Sequence, residues 1–497
     1  MKNRFLAFTL SVFALFASAC GEVENGNESG NISLEVSPQK VVFEADGGTA
    51  TVTISTNGDS WDFTNATSWL EVAANGSELT LVAFGYDGKV NRNGEIVVVA
   101  TKGGDFVKKS IVVEQVAAGG SSSEGDLNFE CPVFKQMMLD YYDRNGDGVL
   151  SAEEAAVVTE LSLTYDDAGS YDKITSLNGI KNFVNLVNLD CDLNAITNLD
   201  LSGMEKLEYV DCSNNLITEI NLNNCPKLKW LYANMNRISQ LHIENCKNFL
   251  ILQAYQNKLR TIDVSNSPKL YYLDLRLNTL TEAKFSNCPE LRVAALGDNE
   301  LMSLELKGLP ELYSLGCYSN NISSLDLSEL PKLDMLECYD NNIATLDLSA
   351  NPKLATLTCQ NNLISELNIE GCSALKKLDC SNNRLSGSLD TSAYPQLYIL
   401  HCGGNDISEL VIKDNTALTD VECANTKITS LDIAALTELV SLKANDCLLT
   451  ELDASNNLKL ATLYLQGNPL TKLILAEEQK NTIGDLKLDN RDVIEYK

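Results

Sequence analysis

The sequence predicts a mostly β protein in two parts, an N-terminal Ig-like β-sandwich and a C-terminal solenoid with a 21-residue repeat. In the first part, short alternating runs of apolar and polar residues are divided by Gly, Asn and Asp, which is typical of sandwich strands. In the second part, apolar residues and an asparagine recur at a fixed spacing, which indicates stacked coils. A short helix–loop–helix is predicted between the two.

Composition limits the classes of partner. The chain has 497 residues, of which 44% are hydrophobic and 21% charged, so it is long enough for several globular domains. Its formal net charge is −30. A surface this acidic repels nucleic acid and anionic lipid, so we expect neither as a direct partner.

The N-terminus reads as an export signal over residues 1–19. Lys2 and Arg4 precede an apolar run, Phe5–Phe16, that is too short to span a bilayer. The small residues that follow it fit ordinary signal-peptide cleavage, which leaves plain secretion open.

Cys20 directly follows these small residues, and the segment resembles a bacterial lipoprotein signal. The usual leucine three places before the cysteine is replaced by Ala17. The resemblance implies lipidation of Cys20, a lipidated tether over residues 20–32, and a location on the outer membrane at the surface of a Gram-negative cell. Contact with the membrane would be through the lipid alone.

The predicted sandwich covers residues 33–116, and a Gly/Ser-rich linker follows at 117–128. The stretches "ISTNGDSWDFTNATSWLEV", "NRNGEIVVVA" and "IVVEQ" resemble the BACON domain of Bacteroidota surface proteins. That resemblance implies an Ig-like sandwich and contact with carbohydrate or mucin. Trp61 and Trp69 could stack on sugars or simply fill the core.

A calcium-binding cap is predicted over residues 129–160. The segment "DRNGDGVLSAEE" fits the EF-hand loop template, with Gly148 at the sharp turn and a second helix expected over Ala152–Thr159. The alternative is a solvated acidic turn. The predicted ligands of a single structural Ca²⁺ are Asp143, Asn145, Asp147, Val149, Ser151 and Glu154.

Residues 161–497 carry the repeat L-x-x-L-x-C/A/L-x-x-N-x-I/L-x-x-L-D-L-S-x-x-P-K, which is a leucine-rich repeat broadly similar to internalin-like surface proteins. Fourteen coils follow from Leu186, spaced by 21 residues except for one spacing of 22 between Leu375 and Leu397. The second half of each coil is strand-like, so we expect a thin solenoid with few helices. Thr426 and Cys447 interrupt the asparagine column, which predicts lower regularity there.

Two columns of cysteines follow the same period. The larger contains Cys191, Cys212, Cys317, Cys338, Cys359, Cys380, Cys402 and Cys423. Disulfides, a metal ladder and a buried apolar core are the candidate explanations. Exchange with Ala and Leu in other coils favours buried, reduced thiols, because free cysteine packs as a small apolar side chain.

The positions beside each predicted strand core form a concave face with aromatic residues suited to binding. Cross-strand stacking without any ligand is the alternative interpretation. The predicted ligand-binding residues are Tyr209, Trp230, Tyr232, Tyr255, Tyr272, Tyr318 and Tyr339.

The sequence shows no nucleophile–base spacing and no phosphate loop, and it has only two histidines, so we expect no enzyme. It predicts an adhesin-like lipoprotein that binds a host or bacterial surface protein or glycoprotein. Capture of glycan, polysaccharide or mucin, and a structural envelope role, are the alternatives.

Overall fold

The computed structural model describes residues 32–65, 67, 69–86, 92–103, 105–116, 127, 129–166, 171–265, 267–285 and 288–497. The described residues form two compact units, which divide between residues 124 and 125. Among the described residues, no helix combines the length and apolar character needed to cross a membrane.

The N-terminal unit is a sandwich of two four-stranded sheets. Its strands are β1 (Leu34–Ser37), β2 (Lys40–Phe43), β3 (Gly48–Thr56), β4 (Ser60–Asn65), β5 (Leu70–Asn75), β6 (Glu78–Ala83), β7 (Arg92–Lys102) and β8 (Asp105–Gln115). One sheet has the order β1-β3-β6-β5 and is antiparallel; the other has the order β2-β8-β7-β4 and contains one parallel pair, β2 with β8. Alternate side chains of both sheets point inward and form one core.

The two sandwich tryptophans both pack against this core while staying partly exposed. The Arg92 guanidinium lies 4.4 Å from the centroid of the Trp69 ring. One face of Trp69 is therefore already covered by a cation of the same unit.

The C-terminal unit begins with a helix–loop–helix. Helix α1 (Pro132–Tyr142) packs Phe134 and Met138 into the solenoid core. Helix α2 (Ala152–Ala156) is shorter than the sequence predicts. It begins in a capping box, in which the Ser151 hydroxyl and the Glu154 carboxylate each bind the other residue's backbone N–H.

The solenoid contains one parallel sheet of sixteen strands, here called the long sheet. Fourteen strands come from the predicted coils, and one additional strand extends the sheet at each end. Its strands are Glu160–Ser162, Asn188–Asp190, Tyr209–Asp211, Trp230–Tyr232, Ile251–Gln253, Tyr272–Asp274, Val293–Ala295, Ser314–Gly316, Met335–Glu337, Thr356–Thr358, Lys377–Asp379, Ile399–His401, Asp420–Glu422, Ser441–Lys443, Thr462–Tyr464 and Asp485–Lys487.

A second set of short strands, here called the back strands, lies on the opposite side of the solenoid core, as the sequence predicts. Helices are few: α3 (Gln479–Thr482) and the 3-10 turns Ile180–Asn182 and Arg491–Val493. The back strands form separate small sheets: Asn198–Asp200, Glu219–Asn221 and Gln240–His242; Thr261–Asp263 and Glu282–Lys284; Thr345–Asp347 and Glu366–Asn368; Ser386–Asp390 and Asp406–Val411; Glu451–Asp453, Lys472–Leu475 and Ile494–Tyr496.

The asparagine column connects neighbouring coils. Asn320 is buried, and its Nδ2 donates to three backbone carbonyls, those of Leu296 at 3.0 Å, Cys317 at 3.1 Å and Tyr318 at 3.0 Å. Its Oδ1 accepts from the Leu301 N–H at 2.9 Å. Each asparagine thus satisfies turn groups that a single coil cannot pair within itself.

The same bonding recurs along most of the column. The ladder asparagines are Asn194, Asn215, Asn236, Asn257, Asn278, Asn299, Asn320, Asn341, Asn362, Asn383, Asn405 and Asn468.

Where the column lacks asparagine, shorter donors replace it. The Thr426 hydroxyl donates to the Cys423 carbonyl at 2.9 Å, and the Cys447 thiol donates to the same carbonyl at 3.2 Å. The long sheet continues in register through these coils. The expected loss of regularity is therefore wrong for the long sheet.

We expect replacement of one ladder asparagine to destabilise the solenoid. Asn320→Ala removes four hydrogen bonds and leaves the buried Leu301 N–H without its partner, and an unsatisfied buried group costs about 1–3 kcal/mol. Urea unfolding followed by circular dichroism should show a lower midpoint. The exposed Asn321 is the matched control; an equal midpoint for Asn320→Ala and Asn321→Ala would contradict this role.

Candidate binding surface

The outer face of the long sheet carries every residue that the sequence predicts for ligand binding. In most strands the middle residue is buried and its two neighbours are partly exposed, as in Tyr209–Asp211. In Tyr272–Asp274, Ser314–Gly316 and Thr356–Thr358 the third residue is buried as well. A further outward position follows in the turn after each strand, where Tyr255, Tyr318 and Tyr339 lie. All seven predicted side chains are partly exposed. None of the seven side chains is buried in the core, and none is fully exposed.

The turn position forms one continuous row across five coils. The Arg276 guanidinium lies 6.0 Å from the centroid of the Tyr255 ring and forms a 2.6 Å ion pair with Asp274, which is 2% exposed. After the Asp274 contacts, the neighbouring Tyr318 also raises the pKa of Arg276, and the Tyr318 ring stacks on Tyr339 with centroids 4.7 Å apart and planes inclined by 3°. Arg276 is not among the ligand-binding residues predicted from the sequence.

Gly297 makes this row possible. It occupies the turn position between Arg276 and Tyr318, and the Tyr318 ring lies directly over its backbone. A Cβ at residue 297 would be 2.3 Å from Tyr318 Cζ. Only glycine lets the tyrosine cross this coil and reach the arginine.

A second aromatic group lies on the strands themselves. The rings of Tyr209 and Tyr232 are 5.7 Å apart and inclined by 46°. Trp230 pairs in register with Tyr209, and the Lys229 ammonium lies 5.4 Å from the Trp230 ring centroid. Tyr272 is two strands further along the same line. The structure therefore brings the predicted aromatics into two neighbouring sets on one face.

Three aspartates beside this group have no cationic partner. Asp190, Asp192 and Asp211 lie in adjacent coils, and no ion pair joins them to Lys, Arg or His in the part of the chain that the structure describes. Burial and the neighbouring carboxylates raise the pKa of Asp190 and of Asp211. The deprotonated group is therefore less favourable here than in water.

Further along the same face, carboxylates are matched. His401 lies between Asp379 and Asp420, with Nε2 3.2 Å from Asp420 Oδ2, and these contacts raise the pKa of His401 to about 9. The hydrogen bond from His401 lowers the pKa of Asp420. The three N-terminal aspartates differ because no cation in their own coils balances them.

Sequence reasoning missed an exposed apolar set at the edge of the outer face. Leu193, Met235 and Leu277 are 42%, 40% and 49% exposed and have φ of 60°, 54° and 56°. Left-handed backbone is costly for such side chains, and Asn occupies the position in coils such as those of Asn361 and Asn382. An apolar residue directly before the ladder asparagine is the sequence signal that would have revealed them.

The predicted calcium loop is internally hydrogen-bonded. Asp143 accepts from the N–H groups of Gly146 and Gly148 at 2.7 and 2.8 Å, and Glu154 accepts from the Ser151 and Arg144 N–H groups at 3.0 and 2.8 Å. Hydrogen bonds from Ser151, then from Arg144, lower the pKa of Glu154 to about 2. The Glu154 carboxylate, at the end of the loop, therefore hydrogen-bonds to the backbone at the beginning of the loop.

Asn145 Oδ1 and Asp147 Oδ1 accept from loop N–H groups two residues on, while Val149 and Ser151 keep their predicted places in the loop. These hard oxygen donors suit Ca²⁺ by their chemistry. Among the described residues, however, no three His, Cys, Asp or Glu side chains converge as metal ligands. The carboxylates are directed to backbone N–H groups instead.

The cysteine columns are packed inside the solenoid. All fourteen described cysteines are free and buried, which agrees with the reduced, apolar interpretation. Burial raises the pKa of Cys317 to about 12 and also raises those of Cys338 and Cys359. Cys20, the predicted lipidation site, lies outside the described residues.

Solved structures with this architecture are leucine-rich-repeat proteins. The functional domain of InlJ from Listeria monocytogenes, whose description includes a cysteine ladder, is 32% identical over 65% of this chain and 66% of that chain, with a TM-score of 0.54. The chain thus covers just under two thirds of it. The C-terminal unit is a leucine-rich-repeat solenoid.

YopM from Yersinia pestis, described as a leucine-rich effector protein, is 22% identical over 73% of this chain and 96% of that chain, with a TM-score of 0.53. This similarity concerns the fold alone. No protein-family model matches the sequence, and the search of curated proteins also found no match.

We expect the cysteines to be unreactive in the folded chain, because the thiolate is the reactive form and these thiols are buried with mostly raised pKa values. Without prior reduction, Ellman's reagent should modify almost none of them in native protein and at least fourteen in guanidinium. Fewer thiols after denaturation would indicate disulfides and contradict the structure.

Proposed function

We propose that this chain binds a protein partner through the outer face of its long sheet, between Tyr209 and Tyr339. The observation that carries the proposal is the set of seven partly exposed aromatic side chains on a rigid parallel sheet. Aromatic residues held in place contribute large contact area at little entropic cost. The similarity of the solenoid to the functional domain of InlJ supports protein binding.

Ring geometry favours a protein over a glycan as the ligand. Stacking on a sugar needs an open ring face. The Tyr318 ring is covered by Gly297 on one side and by Tyr339 on the other, so neither ring face is open to a sugar. The partly exposed rings of this row, together with the Arg276 guanidinium, can contact peptide groups and protein side chains.

Charge suggests which partner segment binds at the N-terminal coils. Asp190, Asp192 and Asp211 form no ion pair with a cation among the described residues and lie beside Tyr209 and Tyr232. A partner Lys or Arg would neutralise the carboxylates and could contact the rings as a cation–π pair. We therefore propose that the partner presents a basic side chain flanked by apolar residues.

The cellular setting is proposed from sequence alone. Cys20 and the preceding small residues support a lipid-anchored protein of the outer membrane, and the stretches resembling a BACON domain support a bacterial surface location. In that setting the solenoid would act as an adhesin toward a host or bacterial surface protein or glycoprotein.

A selection for peptide ligands tests the outer-face proposal. We expect a random peptide library displayed on phage and panned on the full chain to enrich peptides with Lys or Arg beside apolar residues. In surface plasmon resonance, the double variant Trp230→Ala/Tyr255→Ala should weaken their binding by about tenfold or more, because central aromatics dominate interface energy.

The matched control is Tyr141→Ala, which removes an aromatic that is 61% exposed but lies on α1. It should leave binding unchanged, and circular dichroism should show that both variants fold. Equal affinity of wild type and Trp230→Ala/Tyr255→Ala would contradict the proposal. Binding to a glycan array without peptide binding would favour glycan capture instead.

We also propose that the loop Asp143–Glu154 binds one structural Ca²⁺ at the start of the solenoid. Support comes from its oxygen donors and from Glu154, which joins the two ends of the loop. Asp143, Asn145, Asp147, the Val149 carbonyl, Ser151 and Glu154 would hold the ion. Bound Ca²⁺ would neutralise carboxylates and stiffen this cap.

Isothermal titration of the full chain with CaCl₂ should show binding at about 10⁻⁴–10⁻³ M, the range of extracellular sites. Glu154→Gln should abolish it, since the bidentate carboxylate is lost. Glu153→Gln, at the exposed neighbouring position, should bind as wild type does. Absence of heat at millimolar Ca²⁺ in the wild-type chain would disprove the site.

A further inference from the structure

The one coil of irregular length coincides with a cavity on the back of the solenoid. The coil between Leu375 and Leu397 has 22 residues, and a cavity of about 660 Å³ lies beside it. The cavity is bordered by the back strands Thr345–Asp347 and Glu366–Asn368 on one side. Ser386–Asp390, joined by residues of the next coil, forms the other side. We call this cavity the back groove.

A local irregularity of the back strands accompanies the groove. Gly387 has φ of 78°, and the pairing of Ser386–Asp390 with Asp406–Val411 shifts register directly after it. Within the described stretch 288–497, Glu366–Asn368 pairs with Thr345–Asp347 alone, and Ser386–Asp390 pairs with Asp406–Val411 alone. Two strand edges therefore border the groove without pairing to each other.

A tyrosine fills the space below the bulge. Tyr394 is 5% exposed, and its hydroxyl donates to the Ile369 carbonyl at 2.8 Å. The corresponding residue of other coils is smaller, as in Asn351, Cys372 and Asn415. The Tyr394 ring lines the groove from beneath. The space between these two coils is therefore filled by a packed side chain at this depth.

The groove has an apolar floor and an acidic rim. Leu367 and Leu389 are only partly buried, whereas Leu346, at the same strand position in the preceding coil, is 1% exposed. Four exposed carboxylates line the groove, and none of its lining residues is Lys or Arg. They belong to Asp347, Glu366, Glu370 and Asp390.

We propose that the back groove binds an extended, basic segment of a partner protein as an added β-strand. Its backbone would pair with the free edges of Glu366–Asn368 and Ser386–Asp390, as in other cases of strand addition. Side chains alternate along a strand. Every second residue would rest on Leu367 and Leu389, and the residues between would direct Lys or Arg toward the carboxylates. This site is separate from the aromatic outer face.

A pair of peptides tests the proposal with the full chain. The probe is a blocked, fluorescein-labelled hexapeptide of alternating Lys and Val, and the comparison peptide alternates Glu and Val. Fluorescence anisotropy at about 0.15 M salt, where long-range attraction is screened, should show binding of the Lys–Val peptide only. A peptide with three Lys followed by three Val should bind at least tenfold more weakly.

Two variants should each weaken Lys–Val binding at least tenfold. Deletion of Gly387 combined with Tyr394→Cys restores a 21-residue coil and closes the groove, and Glu366→Lys/Glu370→Lys reverses the rim charge on exposed positions. The matched control is Glu451→Lys, which is at the same repeat position as Glu366 in a regular coil.

Glu451→Lys should bind the Lys–Val peptide as wild type does. Trp230→Ala/Tyr255→Ala should still bind the Lys–Val peptide at least tenfold more tightly than the peptide of three Lys followed by three Val, and that preference should be lost when Glu366→Lys/Glu370→Lys is added, which separates this site from the outer face. The charge-reversed variant keeps the test decisive should the deletion variant fail to fold. No binding by wild type, equal binding of the peptides, or undiminished binding by Glu366→Lys/Glu370→Lys would overturn the proposal.

Discussion

The solenoid depends on one constraint: backbone groups in each tight turn must find partners in the neighbouring coil. The ladder asparagines meet it, since each amide donates to carbonyls of two coils while its oxygen accepts from an N–H of the preceding coil. A coil alone cannot satisfy these groups, so stability is shared between neighbours. The long sheet and the buried columns of leucine and cysteine follow from this stacking.

Because the register between coils is fixed, the residues that vary from coil to coil determine the chemistry of the outer face. Residues 21 apart become neighbours about 4.8 Å apart along the sheet. Rows such as Tyr255, Arg276, Gly297 and Tyr318 are thereby assembled from residues distant in sequence. The framework positions barely change between coils, so the row positions are where a specific partner can be recognised. The unmatched aspartates and the exposed Leu193 and Met235 concentrate such features in the N-terminal coils.

The one coil that departs from the 21-residue period changes the structure only locally. The 22-residue coil coincides with a register shift in the back strands, yet the long sheet remains in register from Lys377–Asp379 to Ile399–His401. Tyr394 fills the resulting space with an aromatic ring. Irregularity is thus confined to the side of the solenoid that has the shorter and less continuous strands.

The sequence by itself determined the mostly β class, the repeat, the asparagine ladder and the side of each strand that faces outward, because period and alternation map directly onto stacked strands. It also indicated that the cysteines pack as apolar side chains. The tertiary structure alone decided which outward residues touch. Arg276 reaches Tyr318 only because Gly297 leaves the intervening coil bare, and His401 balances two aspartates while Asp190 and Asp211 remain unmatched. Such contacts depend on side-chain direction across several coils, which spacing along one chain does not specify.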